Sequence, residues 1–184
     1  VNGRAILAIA GVLVAATALP MEARNLCGQD ADAELLARLE GVWRGAPRVS
    51  IVNETTSLDR TPGEKNVVLR RGTLRDELLD GIAAHSYEIA GADGPRYDVD
   101  AIDDLLETTG SADLADRLSD TRCEPEELPQ FVAIIDEGEE MTVAGTVTIV
   151  AYFEDRLLEV TELTLGSGET ILYFTATTLL VPAE

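Results

Sequence analysis

Residues 141–181 read MTVAGTVTIVAYF (141–153), ED (154–155), RLLEVTELTL (156–165), GSG (166–168) and ETILYFTATTLLV (169–181). In the first run Val143, Val147, Ile149, Ala151 and Phe153 alternate with Thr142, Thr146, Thr148 and Tyr152. Successive side chains of a strand point to opposite faces, so this period of two marks a strand with two unlike faces. Glu154-Asp155 and Gly166-Ser167-Gly168 are short polar breaks. Three such runs joined by tight turns pair most cheaply in sequential antiparallel order, as a meander. In the last run Leu172, Phe174, Ala176, Thr178 and Leu180 fall on one face and Ile171, Tyr173, Thr175, Thr177 and Leu179 on the other. Both sets carry apolar residues, which predicts cover on both sides for part of that strand. The apolar phase shifts between Leu158/Val160 and Leu163/Leu165, predicting a bulge near Thr161-Glu162.

Working outward, Phe131-Val132-Ala133-Ile134-Ile135 predicts a buried strand just upstream, behind an irregular connector that holds Cys123, Pro125 and Pro129. Before it, Asp100 can cap a helix over 101–108 and Ser111 a second over 112–119, with Ile102, Leu105, Leu106, Leu114 and Leu118 as their apolar residues. Nearer the N-terminus, Leu35, Leu36 and Leu39 lie at helical spacing within 31–40, and Gly41 stops that helix. Val49, Ile51 and Val52 are strand-like, residues 66–75 make a second strand, 76–84 suit a short helix, and 85–90 alternate as a third. The fold class is mostly β: an antiparallel, partly closed sheet or barrel of about six or seven strands with short helices at 31–40, 101–108 and 112–119.

The first 18 residues stand apart. Arg4 precedes an apolar run over 5–16, and Ala16-Thr17-Ala18 supplies small residues for a signal peptidase. The run is short of the ~20 residues that span a bilayer as a helix. The expected organisation is a signal peptide over 1–18 and a single β-rich domain over 19–184, placed in the periplasm or outside a bacterial cell, with no membrane span in the mature chain. Cys27 and Cys123, the only cysteines, are then expected to form a disulfide. The net charge is −20, with Lys65 the sole lysine. Residues 93–140 hold 16 acids against 3 arginines, while 19–92 hold 12 acids against 9 basic residues. Nucleic acid is excluded as a partner, because phosphate contacts need a basic face.

Gly41-Val42-Trp43, behind the short helix, resembles the Gly-x-Trp signature of lipocalins and related calycin barrels. The resemblance implies a helix ahead of the first strand, a tryptophan at the barrel base and an apolar small molecule as ligand. The chain departs from the family in having nothing basic after Arg156, where a basic residue would pack over the tryptophan, and in its long acidic stretch over 91–140.

Chemistry is less legible. Asp98, Asp100, Asp103 and Asp104 cluster oxygens as a Ca²⁺ loop does, but Ile102 takes a ligand position and no glycine follows, so an EF-hand fails and helix capping by Asp100 explains them more simply. His85 and Ser86 are adjacent and point to opposite faces of a strand, so they cannot pair as base and nucleophile. With 34 acids, no particular carboxylate pair stands out for a hydrolase. The sequence assigns no catalytic residue, cofactor or metal. Its leading reading is an exported binding module for an apolar or amphipathic ligand, lined by Trp43, Val147, Ile149, Phe153, Tyr173 and Phe174. An envelope interaction protein is the alternative, and a carboxylate-based hydrolase stands third.

Overall fold

The computed structural model describes residues 24–53, 57–83, 86–92, 123, 127–138, 142–168 and 170–184. Among these residues one α-helix, α1 (Ala33–Arg38), leads into ten strands: β1 (Gly41–Gly45), β2 (Arg48–Val52), β3 (Ser57–Arg60), β4 (Lys65–Arg70), β5 (Thr73–Asp76), β6 (Tyr87–Gly91), β7 (Gln130–Glu137), β8 (Thr142–Phe153), β9 (Arg156–Ser167) and β10 (Thr170–Pro182). Every strand pairing is antiparallel, in the order β1-β4-β5-β6-β7-β8-β9-β10, and β10 returns to β1. Eight strands therefore close a barrel.

Closure leaves β2 and β3 to extend the wall at one end. The long β10 pairs with β1 through Val181 and Pro182, and with β2 through Tyr173 to Thr177. β1 and β2 thus lie end to end along one edge of β10, interrupted at Ala46-Pro47, where proline cannot donate to the ladder. β3 pairs back onto β2 as β4 does onto β1.

The meander is the anticipated one, in strands of 12, 12 and 13 residues. The stretch 66–75, anticipated as one strand, is a hairpin. Arg71 and Gly72 both hold positive φ (53° and 71°), the two-residue turn whose twist suits adjoining strands, and β4 and β5 pair across it. The expected bulge at Thr161-Glu162 is absent: β9 pairs continuously with β10 through those residues, and the irregularity lies in β8 between Ala151 and Phe153. The phase change has another cause. Leu157 and Leu163 face the barrel interior, whereas Leu158 and Val160 face outward and are buried there in a second apolar cluster with Leu128, Val150, Tyr152 and Phe153. Both faces of the lower half of β9 are covered, so both carry apolar residues. The same cover explains the two-sided β10.

The lower end of the barrel is plugged by residues 24–39. Asp32 caps α1 by accepting the Leu35 N–H at 2.7 Å. Leu26, Leu35, Leu36 and Leu39 join the interior cluster with Trp43, whose Nε1 donates to the Leu39 carbonyl at 3.0 Å. Leu26 donates its N–H to the Tyr152 carbonyl at 3.2 Å. The Cys27–Cys123 disulfide is present and ties this plug to the connector ahead of β7, where Gly28 N–H donates to the Glu127 carbonyl at 2.9 Å. Of the anticipated short helices, 31–40 is α1, shortened to six residues, and 76–84 holds a single 3-10 turn, Glu77–Leu79. The helices anticipated over 101–108 and 112–119 lie outside the described residues.

Candidate functional site

Inside the barrel a belt of polar residues interrupts the apolar lining. Alternation along β4 turns Lys65 inward with Val67 and Leu69, and along β5 turns Asp76 inward with Leu74. On β9 the inward set is Leu157, Glu159, Thr161 and Leu163, and on β10 it is Phe174, Ala176, Thr178 and Leu180. Register places Thr178 directly opposite Glu159, Thr161 opposite Ala176, and Gly45 of β1 opposite Lys65. The belt therefore runs through five neighbouring strands, β9-β10-β1-β4-β5, with Gly45 letting Thr178 and the Leu179 carbonyl approach β1 closely.

Lys65 Nζ lies 2.7 Å from Asp76 Oδ2 and 2.5 Å from Glu159 Oε2, and all three side chains are shielded from solvent. Asp76 is also held from its other side, since Oδ1 accepts the Leu78 N–H at 2.9 Å and caps the 3-10 turn. Next to it, Glu77 accepts from the Asn66 side chain and backbone N–H, which hold its carboxyl below the usual range. Asp76 is thus fixed by local structure as well as by Lys65, while Glu159 is held by its strand and by Lys65. Burial pushes the Glu159 carboxyl up to about 7, against the pull of the Lys65 ammonium and with a further push from Asp76. Thr178 presents its hydroxyl to Glu159 short of a full hydrogen bond, and neither Glu159 Oε1 nor the buried Thr161 and Thr178 hydroxyls have a hydrogen-bond partner.

The upper interior changes character. On the inner face of β2, β3, β9 and β10, Ile51, Leu165 and Leu172 are only partly covered and Leu58 is 39% exposed. Their register (Ile51 against Leu58 and Phe174, Leu165 against Leu172) makes them neighbours on one wall. Phe174 and Leu163, one pair further in, are buried. Further along β2 and β3, at the level of Ala176 and Thr177, a cleft of about 170 Å³ is lined by Arg48, Val49, Asp59, Arg60 and Thr61, with Arg48 donating to Thr61 Oγ1 at 2.7 Å.

Of the lining residues read from the sequence, the fold brings Trp43, Val147, Ile149 and Phe174 together in the interior cluster. Phe153 sits instead in the outer cluster, edge-on to Tyr152 with ring centroids 5.8 Å apart and the Arg156 guanidinium 4.7 Å above its ring. Tyr173 points outward and is 56% exposed. Asp98, Asp100, Asp103, Asp104 and His85 lie outside the described residues, and among the described residues no group of three or more His, Cys, Asp or Glu side chains could hold a metal ion. The polar belt was missed. Its signal is present in the sequence, as charged residues standing in the inward phase of apolar alternation: Lys65-x-Val67-x-Leu69, Leu74-x-Asp76 and Leu157-x-Glu159-x-Thr161-x-Leu163.

These features define a closed eight-stranded antiparallel barrel, helix-plugged below and carrying an ionic belt within, an architecture compatible with the lipocalin-like fold. In comparisons with family models, curated proteins and solved structures, the chain matches none of them.

Proposed function

We propose that this protein is an exported binding module that takes a small amphipathic molecule into the upper half of its barrel. The observation that carries the reading is the graded inner wall: half-exposed Leu58, Ile51, Leu165 and Leu172 at the rim, buried Phe174 and Leu163 beneath, and unpartnered polar atoms at Thr161, Thr178 and Glu159 below those. An apolar rim open to water favours an apolar tail, and buried polar atoms without partners favour a ligand that brings them. The closed barrel and the intramolecular disulfide are consistent with a module working outside the cytoplasm. No helix among the described residues is long and apolar enough to cross a membrane.

Native mass spectrometry of protein purified without detergent is the direct test, alongside titration of a polarity-sensitive dye. A bound small mass at one per chain is expected, together with dye binding that Leu163→Trp, adding bulk beneath the rim, abolishes. Absence of any bound mass with no saturable dye binding would sink the proposal.

A further inference from the structure

The polar belt constrains which head group can be received. With both carboxylates ionised, Lys65, Asp76 and Glu159 sum to one net negative charge inside the barrel, a strongly unfavourable state that either a proton on Glu159 or an incoming cation relieves. The atoms left without partners are Glu159 Oε1 and the hydroxyls of Thr161 and Thr178, every one of which can accept a hydrogen bond. They converge: Thr178 is opposite Glu159 in register, and Thr161 follows Glu159 on the same face of β9 at roughly 7 Å along the strand. All three residues are at least nine-tenths buried. An alcohol supplies one donor and no charge; a carboxylate adds a second negative charge. A protonated primary amine supplies three donors and the missing positive charge.

Resting on the binding reading above, we propose that the ligand is an amphipathic amine whose ammonium sits against Glu159, Thr161 and Thr178 while its tail lies along Phe174, Leu163 and the rim. Lys65 and Asp76 are already paired at 2.7 Å, so Lys65 positions Glu159 and the incoming cation takes its free oxygen. The Arg48 and Arg60 cleft, lower on the same wall at the level of Ala176 and Thr177, makes the opposite orientation, an anionic head held there, the main competitor.

Calorimetric titration with octylamine, octanoate and octanol, three ligands of one tail, separates these. Octylamine should bind the intact protein at least about ten-fold more tightly than either other ligand. Glu159→Gln, nearly isosteric, should remove that advantage, and Thr161→Val with Thr178→Val should reduce it. Glu162→Gln, which deletes the same charge from the exposed outer face of β9, should leave octylamine affinity unchanged and so controls for general attraction to an acidic surface. Circular dichroism of each variant confirms folding. If all three ligands bind equally, or octanoate binds best, or Glu162→Gln matches Glu159→Gln, the amine inference is overturned while the binding module stands. If none binds and no dye binds, the binding reading itself fails.

Discussion

Glu159 sits where a β-barrel would ordinarily place leucine, and the cost of that choice depends on pH. Its carboxyl titrates near 4.5 when unfolded and near 7 in the fold, so between those values the folded chain holds a proton that the unfolded chain has released. Stability from this group is fully present below about pH 4.5, falls as pH rises, and is lost above about 7. Glu159→Gln keeps the shape and removes the titration. Urea denaturation should show the variant gaining on the parent by a few kcal/mol as pH is raised from about 5 to 8, and a parallel pH dependence in the two proteins would refute the assignment. Lys65 illustrates what composition conceals. Its being the only lysine among fourteen basic residues is visible at once, but its meaning comes from its phase: it begins a strand whose inward positions continue as Val67 and Leu69. Alternation shows that Lys65 points inward. It does not show that β9 will bring Glu159 within 2.5 Å, because that meeting depends on barrel closure across nearly a hundred residues.

Among the elements, β9 was the most legible and also the most misleading. Its span follows directly from the polar turns at either side, since Glu154-Asp155 and the stretch around Gly168 end the alternation. Its phase change invited a bulge because one buried face is the usual case for an antiparallel strand. Here the lower half is buried on both faces, a condition imposed by Leu128, Tyr152 and the connector carrying Cys123 that periodicity within β9 cannot reveal. Leu158→Ala, on the outer face, should therefore cost as much as a core truncation, about 2–5 kcal/mol, comparable with Leu157→Ala on the inner face. Thermal or urea unfolding of the two variants checks this, and a loss below about 1 kcal/mol for Leu158→Ala would place that face in solvent instead. The hairpin at Arg71-Gly72 shows the complementary difficulty. A positively charged residue in the left-handed region carries no strong turn signature, so 66–75 looked continuous until the backbone was seen to reverse.

For the whole molecule, the plug, the connector and the barrel form one unit joined by the Cys27–Cys123 bond, which spans 96 positions. Closing so large a loop restricts the unfolded chain, and reduction should lower stability by about 4–5 kcal/mol on the chain-entropy view. Protein recovered from outside the cytoplasm should begin at Leu19, contain no titratable thiol under denaturing conditions, and lose that much stability on reduction. Two reactive thiols without reductant would contradict both the bond and the export reading. Mostly antiparallel β architecture, the meander and the pairing of the two cysteines were open to reasoning from residues alone. The closure of eight strands was not, because it is decided by β10 finding β1 and β2, a pairing between distant segments that no local pattern encodes.

That last pairing also sets a clock. The seam joins strands begun near residue 41 to one that ends at Pro182, so nearly the whole chain must be available before the wall can seal. Gly45 keeps the seam narrow: a methyl group there would fall 2.2 Å from the Leu179 carbonyl oxygen. Contacts this distant in sequence form late and slowly, on the millisecond-to-second scale typical of β-rich domains. A chain whose final strand is still being delivered therefore remains an unsealed sheet, and acquires its interior only once its far end arrives.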